Sequence, residues 1–550
     1  MTRWVITLLL ALAGAALPEA AAWAAQPNRA APPAGGAPAD SGHLVRQAPG
    51  AQASPGRQGR RNSLAFFAHL SDTQIADEAS PARHEQLHGR HPMFSGFWRP
   101  QEAFILHVVD QTVRAVNRDP TSRLPSAGGP ARLGFALVTG DLADTAQVNE
   151  VRWGVRVLDG GRVDPFSGRR ISRANPCDAP PGIRRRLNRS VALRHYAGVG
   201  RSGRPLGRWP GVLDRAQQPF LAEGLAVPWY SVRGNHDALP QGHYGPAVVP
   251  RSAATGCRKL FGPRPVVGHP WDVLRKRLPS GRFVPPDPRR RFLRSAAEFR
   301  RLHGRADRAH GFGFTAAGER RRSRGSALYY AWSPQPSLRF IALDTTVDAG
   351  GSAGNLDHPQ YLWLARELRR ARRRDQLVVV YAHHPLEMMD NRNHDELAGR
   401  FDRDPRDSRP IHLGRGGATS LRALLMRHPN VVLYVAGHKH YDRVWPNFRR
   451  SGRGFWQVIT NALAGAPQEA RMIELMDNSD GTLSIFTTML AHGAPAATPP
   501  PGPGAALDPA GLASISRALA WSRRPAARHA LGSGGPMRNV ELVLRDPRRR

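Results

Sequence analysis

A chain of 550 residues with 41% hydrophobic side chains is long and apolar enough for one large catalytic domain with insertions, or for two to three ordinary domains. Its net charge is +36, from 79 Lys+Arg against 43 Asp+Glu, and Lys259, Lys276 and Lys439 are its only lysines. GC-rich codons explain most of this arginine; either way the surface field draws in anions such as phosphates, nucleic acids or acidic envelope polymers. Two lone cysteines, Cys177 and Cys257, exclude a cysteine metal site and point instead to a disulfide formed in an oxidising compartment.

The N-terminus reads as a secretory leader over residues 1–24. Arg3 supplies the positive end, Trp4 to Leu17 the apolar stretch, and Ala22-Trp23-Ala24 a small-x-small cleavage site. The stretch is short of the roughly 20 residues that span a bilayer. The expected location is therefore the cell envelope or the outside of a bacterial cell, with no transmembrane segment after cleavage. Residues 25–62 are rich in Ala, Pro, Gly and Arg and read as a disordered linker.

The folded part is expected over 63–492. A first strand, Leu64 to Leu70, ends at Asp72-Thr73-Gln74. The polar stretch after it carries His84, His88 and His91, whose spacing suits a solvated loop better than a metal cluster. Gln101 to Arg118 has helical periodicity. Leu133 to Val138 is a second buried strand, delivering Gly140-Asp141-Leu142-Ala143-Asp144, and Thr145 to Leu158 forms a helix. Residues of about 160–215 are loop-like and hold Cys177. Leu225 to Val232 then leads into Gly234-Asn235-His236-Asp237, and a second insertion of about 238–325 holds Cys257.

Ala327 to Trp332 and Leu338 to Leu343 read as a hairpin. Asp357 is placed to cap a helix running to Arg374, with Tyr361, Leu362, Leu364, Ala365 and Leu368 facing inward. The arginines that close this helix suit its dipole. Gln376 to Tyr381 is a continuous apolar strand presenting His383 and His384. Leu421 to His428 is a short helix, and Val431 to Val435 a strand ending in Gly437-His438-Lys439-His440. Gly454 to Thr460, Arg471 to Met476 and Thr482 to Met489 read as antiparallel strands. Residues 493–550 form a Pro/Ala-rich tail with a weak helix near 508–521 and a last strand at 539–544. Strand and helix alternate and then give way to antiparallel strands, which indicates an α/β sandwich. Ligands in such sheets sit beyond the strand carboxyl ends, and every motif above lies at one.

Asp, Asn, Gln and His without cysteine suit Mn, Fe, Zn or Co. The ordered set of Asp72-Thr73-Gln74, Gly140-Asp141-Leu142-Ala143-Asp144, Gly234-Asn235-His236-Asp237, His383 and Gly437-His438-Lys439-His440 resembles the calcineurin-like metallophosphoesterase superfamily, in a secreted bacterial form with long insertions. The resemblance covers roughly 64–490 and implies a sandwich of two mixed β-sheets flanked by helices, with two long irregular insertions. It further implies two divalent metal ions. Asp72, Gln74, Asp141 and His440 would hold the first, and Asp141, Asn235, His383 and His438 the second, with Asp141 bridging. The implied reaction is hydrolysis of phosphomonoesters or phosphodiesters by attack of a metal-bound hydroxide at this binuclear centre. His236 would contact the phosphate and assist the leaving group, Asp237 would orient His236, and Asp144 would act from behind.

Gln74 departs from the pattern, which has His at this position. An uncharged amide oxygen would hold metal more loosely, or favour a harder ion. The competing reading is a basic envelope- or polyanion-binding protein with a degenerate metal centre. It lacks the basic groove interleaved with aromatic residues that a single-strand binder needs, so specific nucleic-acid recognition is not expected.

Overall fold

The structure is a computed structural model that describes residues 42–84, 97–168, 209, 211–243, 254–259, 282–284, 286–304, 310–323, 325–348, 351–389, 420–502, 505, 507–522 and 538–549. The expected leader, His88, His91, Cys177 and much of both insertions lie outside the described residues. Cys257 is disulfide-bonded.

Among the described residues, thirteen strands build two mixed sheets. They are β1 (Leu44–Gln47), β2 (Asn62–Leu70), β3 (Phe135–Val138), β4 (Trp229–Ser231), β5 (Tyr330–Trp332), β6 (Leu338–Ala342), β7 (Leu377–Tyr381), β8 (Val431–Ala436), β9 (Arg443–Phe448), β10 (Gly454–Ile459), β11 (Glu469–Asp477), β12 (Thr482–Ala491) and β13 (Val540–Arg545). The seven-stranded sheet runs β1-β13-β12-β11-β2-β3-β4, and the six-stranded sheet β9-β10-β8-β7-β6-β5. β2, β3 and β4 are mutually parallel in the first, as are β6, β7, β8 and β10 in the second. The sheets face each other over a core in which Phe67, Phe135, Phe340 and Trp332 meet, with Phe67 and Phe135 stacked at 5.0 Å. The main helices are α1 (Ile105–Arg118), α2 (Val148–Asp159), α3 (Ala296–His303), α4 (His358–Arg373), α5 (Leu421–Met426) and α6 (Pro509–Ser522). None among the described residues is long and apolar enough to cross a membrane.

β7 and β8 are buried along their whole length. That explains why they read as continuous apolar runs rather than alternating ones. Asp357 caps α4 as expected, accepting a hydrogen bond from the Gln360 amide at 2.7 Å. Trp363, Leu364 and Leu368 pack inward, whereas Leu362, expected inside, is 44% exposed. It is one helical step away from the Trp363 stripe.

Three expectations are corrected. Residues 42–61 are not disordered linker. β1 pairs in parallel with β13, Leu44 opposite Val540, and the Ala48 amide donates to the Val543 carbonyl at 2.9 Å. Arg57 then forks onto Glu541 through Nε at 3.1 Å and Nη2 at 2.8 Å. Composition misses such a segment because an edge strand is held by ladder hydrogen bonds, not by apolar side chains. The domain also does not stop at 492. β13 lies between β1 and β12, and α6 seats Leu512, Ile515 and Leu519 against Phe104, Val212 and Leu213. Finally, β10 belongs to the six-stranded sheet. Its antiparallel partner is β9, whose Arg443, Pro446 and Asn447 conceal a strand from pattern reading.

Candidate metal centre

Five strand ends converge at the seam between the sheets. β2 supplies Asp72 and Gln74, β3 Asp141, and β4 Asn235 and His236, from the seven-stranded sheet; β7 supplies His383, and β8 His438 and His440, from the other. The backbone is bent hard here. Asp72 (φ 49°), Gln74 (42°), Asp141 (53°), His438 (69°) and His440 (53°) all adopt left-handed conformations, which side-chain-bearing residues take at a cost of order 1–3 kcal/mol each. Main-chain hydrogen bonds hold them, from the Asp72 amide to the Gly140 carbonyl at 3.1 Å and from the Gln74 amide to the Asp141 carbonyl at 2.8 Å. Gly437 lets the sheets close, since a Cβ there would run into Ser71 Oγ and Asp72 Oδ2.

Each inward-facing atom can be assigned. His383 Nδ1 is 2.8 Å from the Thr139 carbonyl, so this nitrogen carries the proton and Nε2 turns a lone pair to the centre. That Nε2 lies 3.0 Å from Asn235 Oδ1, 3.2 Å from His438 Nδ1 and 3.3 Å from Asp141 Oδ2. Asn235 presents oxygen because its Nδ2 donates to the Gly242 carbonyl at 3.0 Å. His438 Nδ1 is 3.1 Å from the same Asn235 oxygen. Asp141 accepts from the His236 amide through Oδ1 at 2.8 Å, leaving Oδ2 to the cluster. Asp72 takes bonds from Ser71 Oγ at 2.6 Å and the His438 amide at 2.9 Å on Oδ2. Its Oδ1 is buried, 3.2 Å from His440 Nε2.

Carboxylate, amide and imidazole ligand atoms thus converge, an arrangement suited to a cation. Ligand atoms of Asp72, Asp141 and His383 all lie within 4.8 Å of one another. The set Asp141, Asn235, His383 and His438 fits a borderline divalent metal in chemistry and orientation. The field acts on protons too. Burial pushes His383 down, but Asp141 outweighs it and raises the imidazole to about 9. Burial likewise opposes ionisation of Asp141, yet His383 and His236 hold it well below the carboxylate range.

The other set does not fit as expected. Arg99 Nη2 lies 2.5 Å from Gln74 Oε1. A guanidinium has only donors, so that atom is the oxygen, and the NH2 group is what faces Asp141 Oδ2 and His440 Nε2, each at 3.3 Å. An amide NH2 is no metal ligand. Gln74 therefore lies at the centre but does not present the donor atom that its expected role requires.

His236 sits at the mouth, its side chain 13% exposed. Its Nδ1 is 2.8 Å from the Asp144 carbonyl and 3.4 Å from Asp144 Oδ1, and its Nε2 is 4.0 Å from Asp141 Oδ2. Burial lowers its pKa, but Asp141 and Asp144 together raise it to about 9. Asp144, not Asp237, orients this ring. The Asp237 carboxylate accepts from the Ala143 amide at 2.8 Å and the Gly234 amide at 2.9 Å, so it shapes the loop instead. His384 bonds Thr345 Oγ1 through Nδ1 at 2.8 Å. Its neighbour His383, the expected ligand, is the one aimed at Asp141 and Asn235. Arg99 is the residue that sequence reasoning missed. It follows no strand and belongs to no motif, so no spacing rule marks it.

The calcineurin-like phosphoesterase model matches residues 207–442. That range contains Asn235, His236, His383, His438 and His440. None of the curated proteins matches the chain. Among solved structures, a dimetal phosphatase from Danio rerio is similar at 11% identity, covering 78% of this chain and 100% of that one, with a TM-score of 0.32. Residues 207–442, which carry Asn235, His236, His383, His438 and His440 on parallel strand ends of two facing mixed sheets, are therefore similar to the calcineurin-like phosphoesterases, a family of hydrolases of phosphoric esters.

Proposed function

We propose that the chain is an exported phosphoesterase that acts on phosphomonoesters or phosphodiesters at the seam between its sheets. One observation carries this reading: His383 Nε2 converges on one space with Asn235 Oδ1, His438 Nδ1 and Asp141 Oδ2, at 3.0, 3.2 and 3.3 Å. These four would hold a divalent ion. Such an ion, when bound, polarises a phosphoryl oxygen and makes water a nucleophile at neutral pH.

The remaining work belongs to side chains. Asp144 fixes His236 with its proton on Nδ1, and Asp141 together with Asp144 raises its pKa to about 9, so that Nε2–H is available at the mouth. His236 would contact a phosphate oxygen there and deliver its Nε2 proton to the leaving oxygen. Asp237 and Asn235 brace the loop that carries it, through Gly234 and Gly242. The leader from Arg3 to Ala24 and the disulfide at Cys257 support export. N-terminal sequencing of the exported protein should begin after Ala24.

The test is a panel of aryl phosphate mono- and diesters with Mn added. Turnover of at least one class is expected. His236→Ala should lower kcat by about 10²–10⁴-fold while metal content is unchanged. No turnover of either class by protein with metal shown to be bound would refute the reading.

A further inference from the structure

We infer that only one subsite of this centre holds a metal ion, and that the Arg99 guanidinium supplies the second positive charge that faces the phosphate. The inference rests on the phosphoesterase reading and concerns the composition of the same site. Two amides meet the centre, and their outer partners turn them in opposite directions. The Gly242 carbonyl takes the Asn235 NH2 at 3.0 Å and leaves oxygen facing inward. Arg99 takes the Gln74 oxygen at 2.5 Å and leaves NH2 facing inward.

Turning Gln74 over would set its NH2 against a guanidinium and forfeit a charge-assisted hydrogen bond. Arg99 itself cannot easily withdraw. Glu102 accepts from its Nε at 2.6 Å and from its amide at 3.1 Å, and Arg83, fully buried, pins the same carboxylate at 2.5 Å. Arg99 Nη1 also lies 3.5 Å from His440 Nδ1. A fixed cation thus touches two of the four groups expected to hold the first metal, and a divalent ion there would meet both its charge and a missing donor. Arg99 has five N–H groups. Those named bonds use three, to Glu102, Gln74 and His440. Its side chain is 15% exposed, and the two remaining N–H groups suit a planar two-point contact with phosphate oxygens.

The experiment measures bound metal and phosphate affinity, not turnover alone. Full-length protein is loaded with excess Mn, desalted and analysed by mass spectrometry for metal per chain. The wild type should retain one ion, and Gln74→His, which restores a ring nitrogen, should retain two. In a second arm, inorganic phosphate is titrated calorimetrically into protein carrying one equivalent of Mn. Arg99→Ala should weaken phosphate binding by at least about tenfold, and Arg99→Lys should recover only part of the loss. Two ions on the wild type would overturn the inference and leave the phosphoesterase reading intact. Gln74→His remaining at one ion, or Arg99→Ala leaving phosphate affinity unchanged, would overturn it as well. No ion on the wild type would overturn both readings together.

Discussion

His383 shows how a single side chain is prepared for metal. Its outer nitrogen is fixed by the Thr139 carbonyl and its inner one faces Asp141, whose charge raises the imidazole to about 9 against the effect of burial. Because this pKa is raised in the folded state, protonation stabilises the cation-free protein below the ordinary value near 6.5. That contribution is lost as pH rises through about 9. Metal binding runs the other way, since the ion must displace the proton. Affinity for Mn should therefore fall by roughly tenfold per pH unit on going down from about 9, and competition with a chromophoric chelator measures it. Affinity that is flat over this range would contradict the assignment of His383 as a ligand. At this scale much of the site is legible in the chain: Asp141, Asn235, His383 and His438 each follow an apolar run, and the run itself places them. Asp144 and Asp237 are harder, because both follow such runs, and only the three-dimensional path of the loops shows which carboxylate reaches His236 and which turns to backbone amides.

At the scale of elements, buried strands announce themselves and edge strands do not. β7 and β8 are legible because burial on both faces demands apolar side chains throughout. β1 and β9 are missed because a strand at a sheet edge can carry Arg, Gln or Pro and still be held by its neighbour's backbone. The C-terminal strand is the instructive case. β13 lies between β1 and β12, and Leu542 and Val543 are fully buried. Leu542→Ala should cost about 2–5 kcal/mol in urea unfolding. Val45→Ala, on the edge strand and 44% exposed, should stay within about 0.5 kcal/mol. Equal effects at the two positions would show that the tail is not integral to the sheet. Truncation at 492 should abolish cooperative unfolding for the same reason.

At the scale of the whole molecule, the candidate ligands are divided between the sheets. Asp141 and Asn235 come from the seven-stranded sheet and His383 and His438 from the six-stranded one, so an ion held by all four ties the two together. Metal should accordingly stabilise the entire fold, by the usual linkage to ligand concentration. The measurement that tests the account most directly is hydrolysis of an aryl phosphate ester by one preparation, followed before chelation, after chelation and during back-titration with Mn. Turnover should vanish with the metal and return as Mn saturates the centre, with a rise in melting temperature over the same concentrations. Turnover that persists in fully stripped protein, or that fails to appear when bound Mn is demonstrated, would contradict it.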